Sequence, residues 1–131
     1  NFLFPEPVCA YVKKRSTKYL AYRHTGYNYL FGFDITNFFN NCSLEFILNS
    51  MSQIIPFALV DAQKLATVIS VCTVNIDGIR VLPQGAPTSP ILSNLAMIPF
   101  DCRMAKKFQY SRYSDNIYIS CNDLHKLQKR H

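Results

Sequence analysis

Two aspartates stand out among the eight acidic residues of this chain because of the residues around them. Asp34 follows a short aromatic run, and Asp115 lies between two apolar stretches, outside any helical pattern. A carboxylate in such surroundings costs desolvation free energy unless a cation pairs with it. A divalent metal ion held by two acids on neighbouring strands satisfies this requirement. The alternative is structural: each aspartate caps a loop or pairs with an arginine or lysine.

Three predicted strands must position these acids. Residues 29–33 are rich in aromatic side chains and predict a buried strand that ends at Asp34. Residues 109–113 and 117–121 are apolar runs on either side of a polar tip. This pattern predicts a hairpin with Asp115 at its apex.

The rest of the chain predicts helices and one further hairpin. Ser43 is a suitable N-cap for a helix to about residue 50, and a second helix is expected after Pro56. Asp77 and Gly78 predict a turn between two apolar runs, and a long helix is expected from about residues 88–90 to about residue 107. Apolar residues of the second helix fall roughly on one face: Phe57, Leu59, Val60, Leu65, Val68 and Ile69.

Length and charge limit the fold and the partners. With 131 residues and 49% hydrophobic content, the chain is expected to form one packed α/β (α+β) domain, an antiparallel sheet backed by helices. The 14 Lys and Arg against 8 Asp and Glu give a formal charge of +6, which favours a polyanionic partner such as nucleic acid. Residues 8–23 are basic and aromatic with no clear period, so an irregular basic arm is expected there.

Membrane, export and metal-thiolate classes are not indicated. The chain has no run of about 18 apolar residues and no leader pattern at its start, which predicts a soluble, cytoplasmic protein without a membrane partner. The five cysteines are odd in number and form no CxxC pair. We therefore expect neither a disulfide framework nor a zinc site, and interpret the cysteines as reduced, buried small side chains.

Three segments together resemble the reverse transcriptases, specifically the bacterial retron and defence-associated branch. Residues 33–39 read FDITNFF, residues 82–90 read LPQGAPTSP and residues 113–116 read YSDN, in the order found in that family. The nine-residue central segment matches the family motif in full and is far more specific than a single carboxylate. Residues 13–16 and 20–24 resemble the family's finger region more loosely.

The resemblance implies a polymerase palm with part of the fingers, and it implies roles for the acids. Asp34 and Asp115 would hold two Mg²⁺ ions, with Mn²⁺ as a substitute, and the Ile35 carbonyl would be a further ligand. Asn116 occupies the third position of that catalytic group. The implied reaction is transfer of a deoxynucleotide to a primer 3′ end on an RNA template.

The resemblance also implies contacts to nucleotide and nucleic acid. Phe39 matches the aromatic residue that excludes a 2′ hydroxyl, although a plain core phenylalanine explains it equally well. Gln84, Gly85 and Arg15 are expected to contact the nucleotide, Arg15 through its triphosphate. Nucleic-acid contacts are expected for three further residues: Lys13, Lys14 and Tyr113. A solvated basic surface is the alternative for the cationic ones.

Asn116 departs from the family pattern, which has a second aspartate there. An amide oxygen ligates a hard cation but brings no charge, so weaker metal binding is expected unless Asp101 or Asp123 supplies a third carboxylate. Three explanations stay open: a substitution made to trap a complex, a natural polymerase that tolerates the amide, and a natural chain that has lost synthesis.

The predicted organisation is a fragment: one fingers-palm domain over residues 1–131, with a basic fingers-like segment at about 1–30, a palm at about 30–125 and no thumb. The expected partners are an RNA template, a DNA or RNA primer and deoxynucleoside triphosphates, with a structured non-coding RNA as a further partner and an antiviral role by analogy alone. A catalytically inactive nucleic-acid-binding relic or scaffold is the competing function. An RNA-templated RNA polymerase is disfavoured by the bulk of Phe39.

Overall fold

The structure is a computed structural model that describes residues 4–55 and 61–124. It divides the chain into two compact units, the first made of residues up to 36 and from 100 onward, the second of residues 37–99. The described elements are, in chain order, α1 (Thr17–Arg23), β1 (Tyr29–Asp34), α2 (Phe38–Asn41), α3 (Leu44–Ile54), α4 (Ala62–Val71), β2 (Val74–Ile76), β3 (Ile79–Val81), α5 (Thr88–Lys107), β4 (Gln109–Tyr113) and β5 (Asn116–Cys121).

The first unit contains an antiparallel sheet with the strand order β1-β5-β4. Helix α1 is tied to β4 by Arg23, whose guanidinium donates to the Ser111 hydroxyl and to the Tyr110 carbonyl, both at 2.8 Å. Alternation along β4 sends Tyr110 to the opposite face, where its ring packs edge-on against Phe100 of α5. The two faces of β4 are thus contacted by different helices.

The segment before α1 is held by side chains of the basic region. Its core residues Val8, Cys9 and Ala10 are fully buried. The Arg15 guanidinium donates to the carbonyls of Phe4, Pro5 and Val8 at 2.6 to 2.9 Å. Because a single guanidinium satisfies three carbonyls, this arginine fixes the path of the segment.

In the described residues of the second unit, four helical segments are combined with a two-stranded sheet formed by β2 and β3. Ser43 caps α3 by accepting a hydrogen bond from the Phe46 N–H at 3.1 Å, and its backbone bridges to Val81 of β3. The Leu82 N–H donates to the Cys42 carbonyl at 3.1 Å. The buried apolar side chains of the unit are Phe38, Cys42, Ile47, Met51, Ile69, Val81, Leu82, Ala96, Met97 and Ile98.

The structure confirms the predicted fold class, with mixed helices and an antiparallel sheet. The predicted helices at Ser43 and over residues 88–107, and both hairpins, are present. For the second predicted helix, residues 56–60 lie outside the described part of the chain, and α4 begins at Ala62 after an Asp61 cap. The assignment of fingers to about 1–30 and palm to about 30–125 stays a prediction.

Three expectations were wrong. Part of the supposedly irregular basic arm is helical, because Ser16 caps α1 by accepting from the Tyr19 N–H. Strand β1 is largely exposed rather than buried, since β5 is the only strand that pairs with it among the described residues. Cys9 and Cys42 are buried as expected, but Cys102 is exposed and the other two cysteines are half-buried.

Within residues 4–55 and 61–124, no helix is both long enough and apolar enough to cross a lipid bilayer.

Candidate active site

The register of the three-stranded sheet brings the predicted catalytic residues together at one end of the first unit. Asp34 of β1 is the cross-strand partner of Asn116 of β5, and Asn116 is also the partner of Tyr113 of β4. Directly opposed residues in antiparallel strands have Cβ atoms about 4.5 to 5.5 Å apart and point to the same face. The backbone register therefore agrees with the sequence prediction that Asp34 and the turn of the last hairpin lie close together.

A backbone hydrogen bond continues this pairing past the end of β1. The Ile35 N–H donates to the Asp115 carbonyl at 2.8 Å. Asp115 is the second central residue of the two-residue turn between β4 and β5, and Ser114 is the first. Ser114 has φ +58° whereas Asp115 is not among the positive-φ residues, which is the pattern of a type II′ turn.

The acids are not buried, contrary to the expectation of a desolvation cost. Asp34 is exposed, and Asp115 and Asn116 are half-buried. The reason is again the position of β1 at the edge of the sheet and of Asp115 in a turn, where water reaches the carboxylates. A cation is therefore not required to compensate burial here, although an accessible pair of carboxylates suits an ion that keeps part of its water shell.

Neither of the two acids considered as a third carboxylate joins the site. Asp101 is fully buried in an ion pair with Arg112, with 2.8 Å between its Oδ2 and Nη2 of the arginine. Asp123 lies beyond the far end of β5 from the turn, and the six residues of that strand span about 17 Å. Asn116 thus leaves the sheet end with two carboxylates.

The donor set of this sheet end is made entirely of oxygen atoms. The predicted ligands at this end are the carboxylates of Asp34 and Asp115, the Asn116 amide and the backbone carbonyl of Ile35. Hard cations such as Mg²⁺ prefer oxygen ligands, so these residues fit such an ion, with less negative charge than three acids would offer. Among the described residues, no group of three or more His, Cys, Asp or Glu side chains is gathered as a metal site.

The predicted nucleotide-contacting residues Phe39, Gln84 and Gly85 belong to the second unit. Phe39 is half-buried at the start of α2, with its ring centroid 5.8 Å from that of the buried Phe38. Gly85 has φ +85°, a conformation that other residues adopt only with strain, and a Cβ atom there would meet nothing within 4 Å. The exposed Gln84 precedes it in a loop that turns into α5.

That loop is fixed by the first turn of α5. The buried Ser89 hydroxyl donates to the Pro83 carbonyl at 2.6 Å, and the Ser89 N–H donates to the Ala86 carbonyl at 3.1 Å. The loop therefore presents Gln84 and Gly85 from a backbone held at both sides.

The predicted cationic residues divide into two kinds. Lys13 and Lys14 are exposed. Arg15 is half-buried and donates to backbone carbonyls, and its guanidinium carbon lies 5.8 Å from the Tyr19 ring centroid. The sequence analysis did not foresee this structural role for Arg15, and its contact with a triphosphate stays a prediction.

Buried polar groups next to the sheet have shifted pKa values. Burial raises the pKa of the Tyr110 hydroxyl, with the neighbouring Asp101 carboxylate as a further cause. Burial lowers the pKa of His24, and the Arg23 charge adds to the shift. The Nδ1 of His24 lies 2.6 Å from the Ser120 hydroxyl on β5, and this contact links α1 to the hairpin.

Sequence reasoning missed the buried ion pair beneath the hairpin. Arg112 precedes the turn by two residues and lies on the same strand face as Tyr110, and both reach Asp101 of α5. The only local signal was an arginine inside a predicted strand that also contains two tyrosines. A strand arginine is ordinarily expected at the surface, so nothing in the sequence pointed to Asp101 as its partner.

Comparison with known proteins agrees with the motifs and the sheet geometry. Residues 2–131 match the family model described as reverse transcriptase (RNA-dependent DNA polymerase). The chain is 31% identical to the Retron Ec83 reverse transcriptase of Escherichia coli over 87% of its length, and 30% identical to the Retron Mx65 reverse transcriptase of Myxococcus xanthus over 91%. It is 25% identical to the Retron Ec86 reverse transcriptase of Escherichia coli over 81%.

These relatives are considerably longer. The chain spans 39%, 31% and 32% of the Ec83, Mx65 and Ec86 proteins, respectively. The family match nevertheless covers nearly all of its 131 residues. The chain therefore belongs to the reverse transcriptase family.

Proposed function

We propose that this chain forms part of an RNA-directed DNA polymerase and carries its nucleotidyl-transfer site at the sheet end formed by β1 and the β4–β5 hairpin. The observation that carries the proposal is the register in which Asp34 faces Asn116 while the Ile35 N–H binds the Asp115 carbonyl. This register brings the backbones of Asp34 and Asp115, from distant parts of the sequence, to the same end of the sheet. The family match supports the same reaction class.

In the proposed mechanism, Asp34 and Asp115 hold divalent cations through their carboxylates, with the Ile35 carbonyl and the Asn116 amide as neutral donors. Bound Mg²⁺ or Mn²⁺ would neutralise the triphosphate and lower the pKa of the primer 3′ hydroxyl. The protein's contribution is to hold the two carboxylates at a fixed separation on a hydrogen-bonded sheet.

Selection of the sugar is assigned to Phe39, and contact with the nucleotide to Gln84 and Gly85. A half-buried ring packed against Phe38 is rigid enough to reject an added hydroxyl by steric exclusion. A backbone without a Cβ atom at Gly85 permits close approach of a ligand. Phe39→Ala is expected to admit ribonucleotides, and unchanged sugar selection would remove Phe39 from this role.

Contact with the primer and template is assigned to Lys13, Lys14 and Tyr113. The two lysines are exposed in a chain of formal charge +6, and Tyr113 is the cross-strand neighbour of Asn116. Phosphate contacts of this kind weaken steeply with salt and do not depend on base sequence. Contact with the triphosphate is assigned to Arg15, whose guanidinium also donates to the carbonyls of Phe4, Pro5 and Val8.

The proposed substrates and partners follow from the reaction. They are deoxynucleoside triphosphates, an RNA template and a DNA or RNA primer. The relatives named above are retron reverse transcriptases, which supports a structured non-coding RNA as a further partner and a retron-type role. These substrates and partners are proposed for the whole protein, because the chain spans less than half the length of the relatives named above.

A second candidate function is a nucleic-acid-binding module without synthesis, and Asn116 is the observation that favours it. The amide faces Asp34 directly, where the family has a carboxylate. Loss of that charge at a ligand position lowers the affinity of the proposed site for divalent metal ions. No other acid of the described chain replaces the missing carboxylate.

The deciding experiment is single-nucleotide incorporation on a primed RNA template with Mg²⁺ and with Mn²⁺. We expect Asn116→Asp to raise incorporation about 10-fold or more, because changes at a metal site typically alter affinity or activity by at least that factor. Asp34→Asn is expected to abolish incorporation. Asp77→Asn is the matched control, since it changes an aspartate in the turn of the other unit. If neither the parent chain nor Asn116→Asp incorporates a nucleotide while both bind the primed template, the binding module is the better account.

A further inference from the structure

The buried ion pair under the hairpin has more hydrogen bonds than a simple charge pair requires. Arg112 Nε and Nη2 donate to the two oxygens of Asp101 at 2.9 and 2.8 Å, and the Tyr110 hydroxyl donates to Asp101 Oδ1 at 2.7 Å. The side chains of Arg112 and Asp101 are both fully buried. Such a two-pronged pair fixes the plane of the guanidinium.

The remaining arm of the guanidinium is directed at the turn. Arg112 Nη1 donates to the Ser114 carbonyl at 3.0 Å. That carbonyl belongs to the peptide unit between Ser114 and Asp115. The plane of the guanidinium therefore sets the orientation of the peptide that precedes Asp115.

The peptide that follows Asp115 is held from the other side, because the Asp115 carbonyl accepts from the Ile35 N–H at 2.8 Å. With both flanking peptide planes fixed, the two backbone dihedrals of Asp115 are fixed as well. The direction of its Cα–Cβ bond then depends on Arg112 on one side and on β1 on the other.

Stability alone is a poor explanation for this pair. Replacing a buried ion pair by apolar residues of similar volume is often neutral or stabilising, so a pair of this kind adds little net folding free energy. Apolar replacements would, however, remove the side-chain donor that Arg112 supplies to the Ser114 carbonyl. The feature that only the arginine supplies is the hydrogen bond to the turn.

We propose that Arg112 and Asp101 are positioning residues that set the Asp115 carboxylate for metal binding through the Ser114 carbonyl. The metal-binding part of this inference rests on the proposed function, whereas the geometric part concerns the chain alone. Arg112 is itself located by its backbone, which pairs with residues 7–9: its N–H donates to the Pro7 carbonyl at 2.8 Å and its carbonyl accepts from the Cys9 N–H at 2.9 Å.

The test is the double variant Asp101→Leu with Arg112→Met in the full chain, which removes both charges together. We expect the melting temperature to stay within a few degrees of the parent's, hydrogen-exchange protection of the Ile35 amide to fall at least about 10-fold, and the dissociation constant for Mn²⁺ to rise about 10- to 100-fold. The Ile47 amide, bonded to the Ser43 carbonyl in the other unit, is the internal reference for exchange.

Two further variants separate positioning from folding. Tyr110→Phe removes the hydroxyl donated to Asp101 but keeps the Arg112 bond to Ser114, so protection at Ile35 and Mn²⁺ affinity are expected within about twofold of the parent's. If the double variant unfolds, Arg112→Lys serves in its place, since it keeps the charge next to Asp101 but lacks the planar fork. It is expected to lose protection at Ile35 with the fold intact.

The outcomes distinguish this inference from the proposed function. Unchanged Ile35 protection in a folded double variant or in Arg112→Lys overturns the positioning role, whatever the polymerase assay gives. A parent chain that neither binds Mn²⁺ nor incorporates a nucleotide counts against the proposed function and against the metal-binding part of the inference. Loss of Ile35 protection in the variants would still establish the geometric part.

Discussion

The two hairpins of the described chain differ in the residues that form their turns. The β2–β3 hairpin turns through Asp77 and Gly78, with φ of +53° and +84°, and the Gly78 N–H donates to the Asn75 side chain at 2.9 Å. The β4–β5 hairpin turns through Ser114 and Asp115, with φ of +58° at a residue that is not glycine. The first turn has the local residues that such a conformation favours, and the second does not.

The arginines of the two hairpins also differ, in their burial and in the groups they bind. Arg80 of β3 is exposed and donates to Thr73 and Ser70, seven and ten residues earlier in the chain. Arg112 of β4 is fully buried and binds a carboxylate eleven residues earlier on a helix. The hairpin that carries the candidate active site is thus held by a buried ion pair with α5, whereas the arginine of the other hairpin stays at the surface.

The largest expected difference between the hairpins is in the free energy of unfolding lost when the contacts of their arginines are removed. Asp101→Ala leaves Arg112 buried without its counter-ion and is expected to cost about 3 to 5 kcal/mol of unfolding free energy. Arg80→Ala removes hydrogen bonds at an exposed site and is expected to cost about 1 kcal/mol. Urea denaturation of both variants measures the difference, and equal losses would contradict the contrast drawn here.

The second comparison concerns the aspartates in the two turns. Asp115→Asn is expected to weaken Mn²⁺ binding about 10-fold or more because it removes one of two carboxylates, whereas Asp77→Asn is expected to leave it unchanged. Titration followed by electron paramagnetic resonance of free Mn²⁺ measures both. Equal affinities in the two variants would show that the ion binds elsewhere.

The third comparison adds a Cβ atom at a positive-φ residue in one turn and removes one in the other. Gly78→Ala places a Cβ atom at φ +84° and is expected to destabilise by about 1 kcal/mol, although nothing lies within 4 Å of that atom. Ser114→Gly relieves the same kind of strain and is expected to stabilise by up to about 1 kcal/mol. Thermal unfolding of the two variants should shift in opposite directions, and a shift in the same direction would refute the strain argument.

The smallest expected effect is a pH dependence of stability that arises from His24, which contacts Ser120 of the β4–β5 hairpin. Burial lowers the pKa of His24 in the folded chain, so the unfolded chain takes up a proton first as the pH falls through about 6.5. Stability is lost as the pH falls from that value toward the lowered folded pKa.

From pH 7.5 to pH 6, this loss amounts to at most about 0.8 kcal/mol. His24→Asn should remove it, which is measured as the difference between the stability profiles of the parent and the variant. Parallel profiles would mean that His24 is protonated as readily in the folded chain as in the unfolded one.

The comparison also explains what could be predicted from sequence. The Asp77–Gly78 turn, the Ser43 cap and the long helix α5 follow from local residue chemistry, and all three are present. The turn at Asp115 was predictable because the polar residues 114–116 lie between two stretches with strand-forming side chains. Pairing of β1 with β5 followed only from the family resemblance, since no local signal links residues more than 80 apart.

What could not be predicted depends on which side chains and strands meet once the chain is folded. Arg112 is buried because Asp101 of α5 meets it, and its type and neighbours give no sign of that. Arg15 was expected to meet a ligand, but its hydrogen bonds go to carbonyls of residues 4–8, whose path the sequence does not specify. The exposure of β1 likewise depends on which strands pair with it, not on its aromatic composition.

The amide at position 116 has a consequence for how the apoprotein folds. Because Asn116 stands directly across from Asp34, an aspartate there would set two like charges against each other in adjacent strands, an arrangement that destabilises a sheet. With the neutral residue, the strands close without that repulsion. We therefore expect folding of this sheet end to depend less on divalent cations than it would with an aspartate at position 116, and its affinity for such ions to be lower.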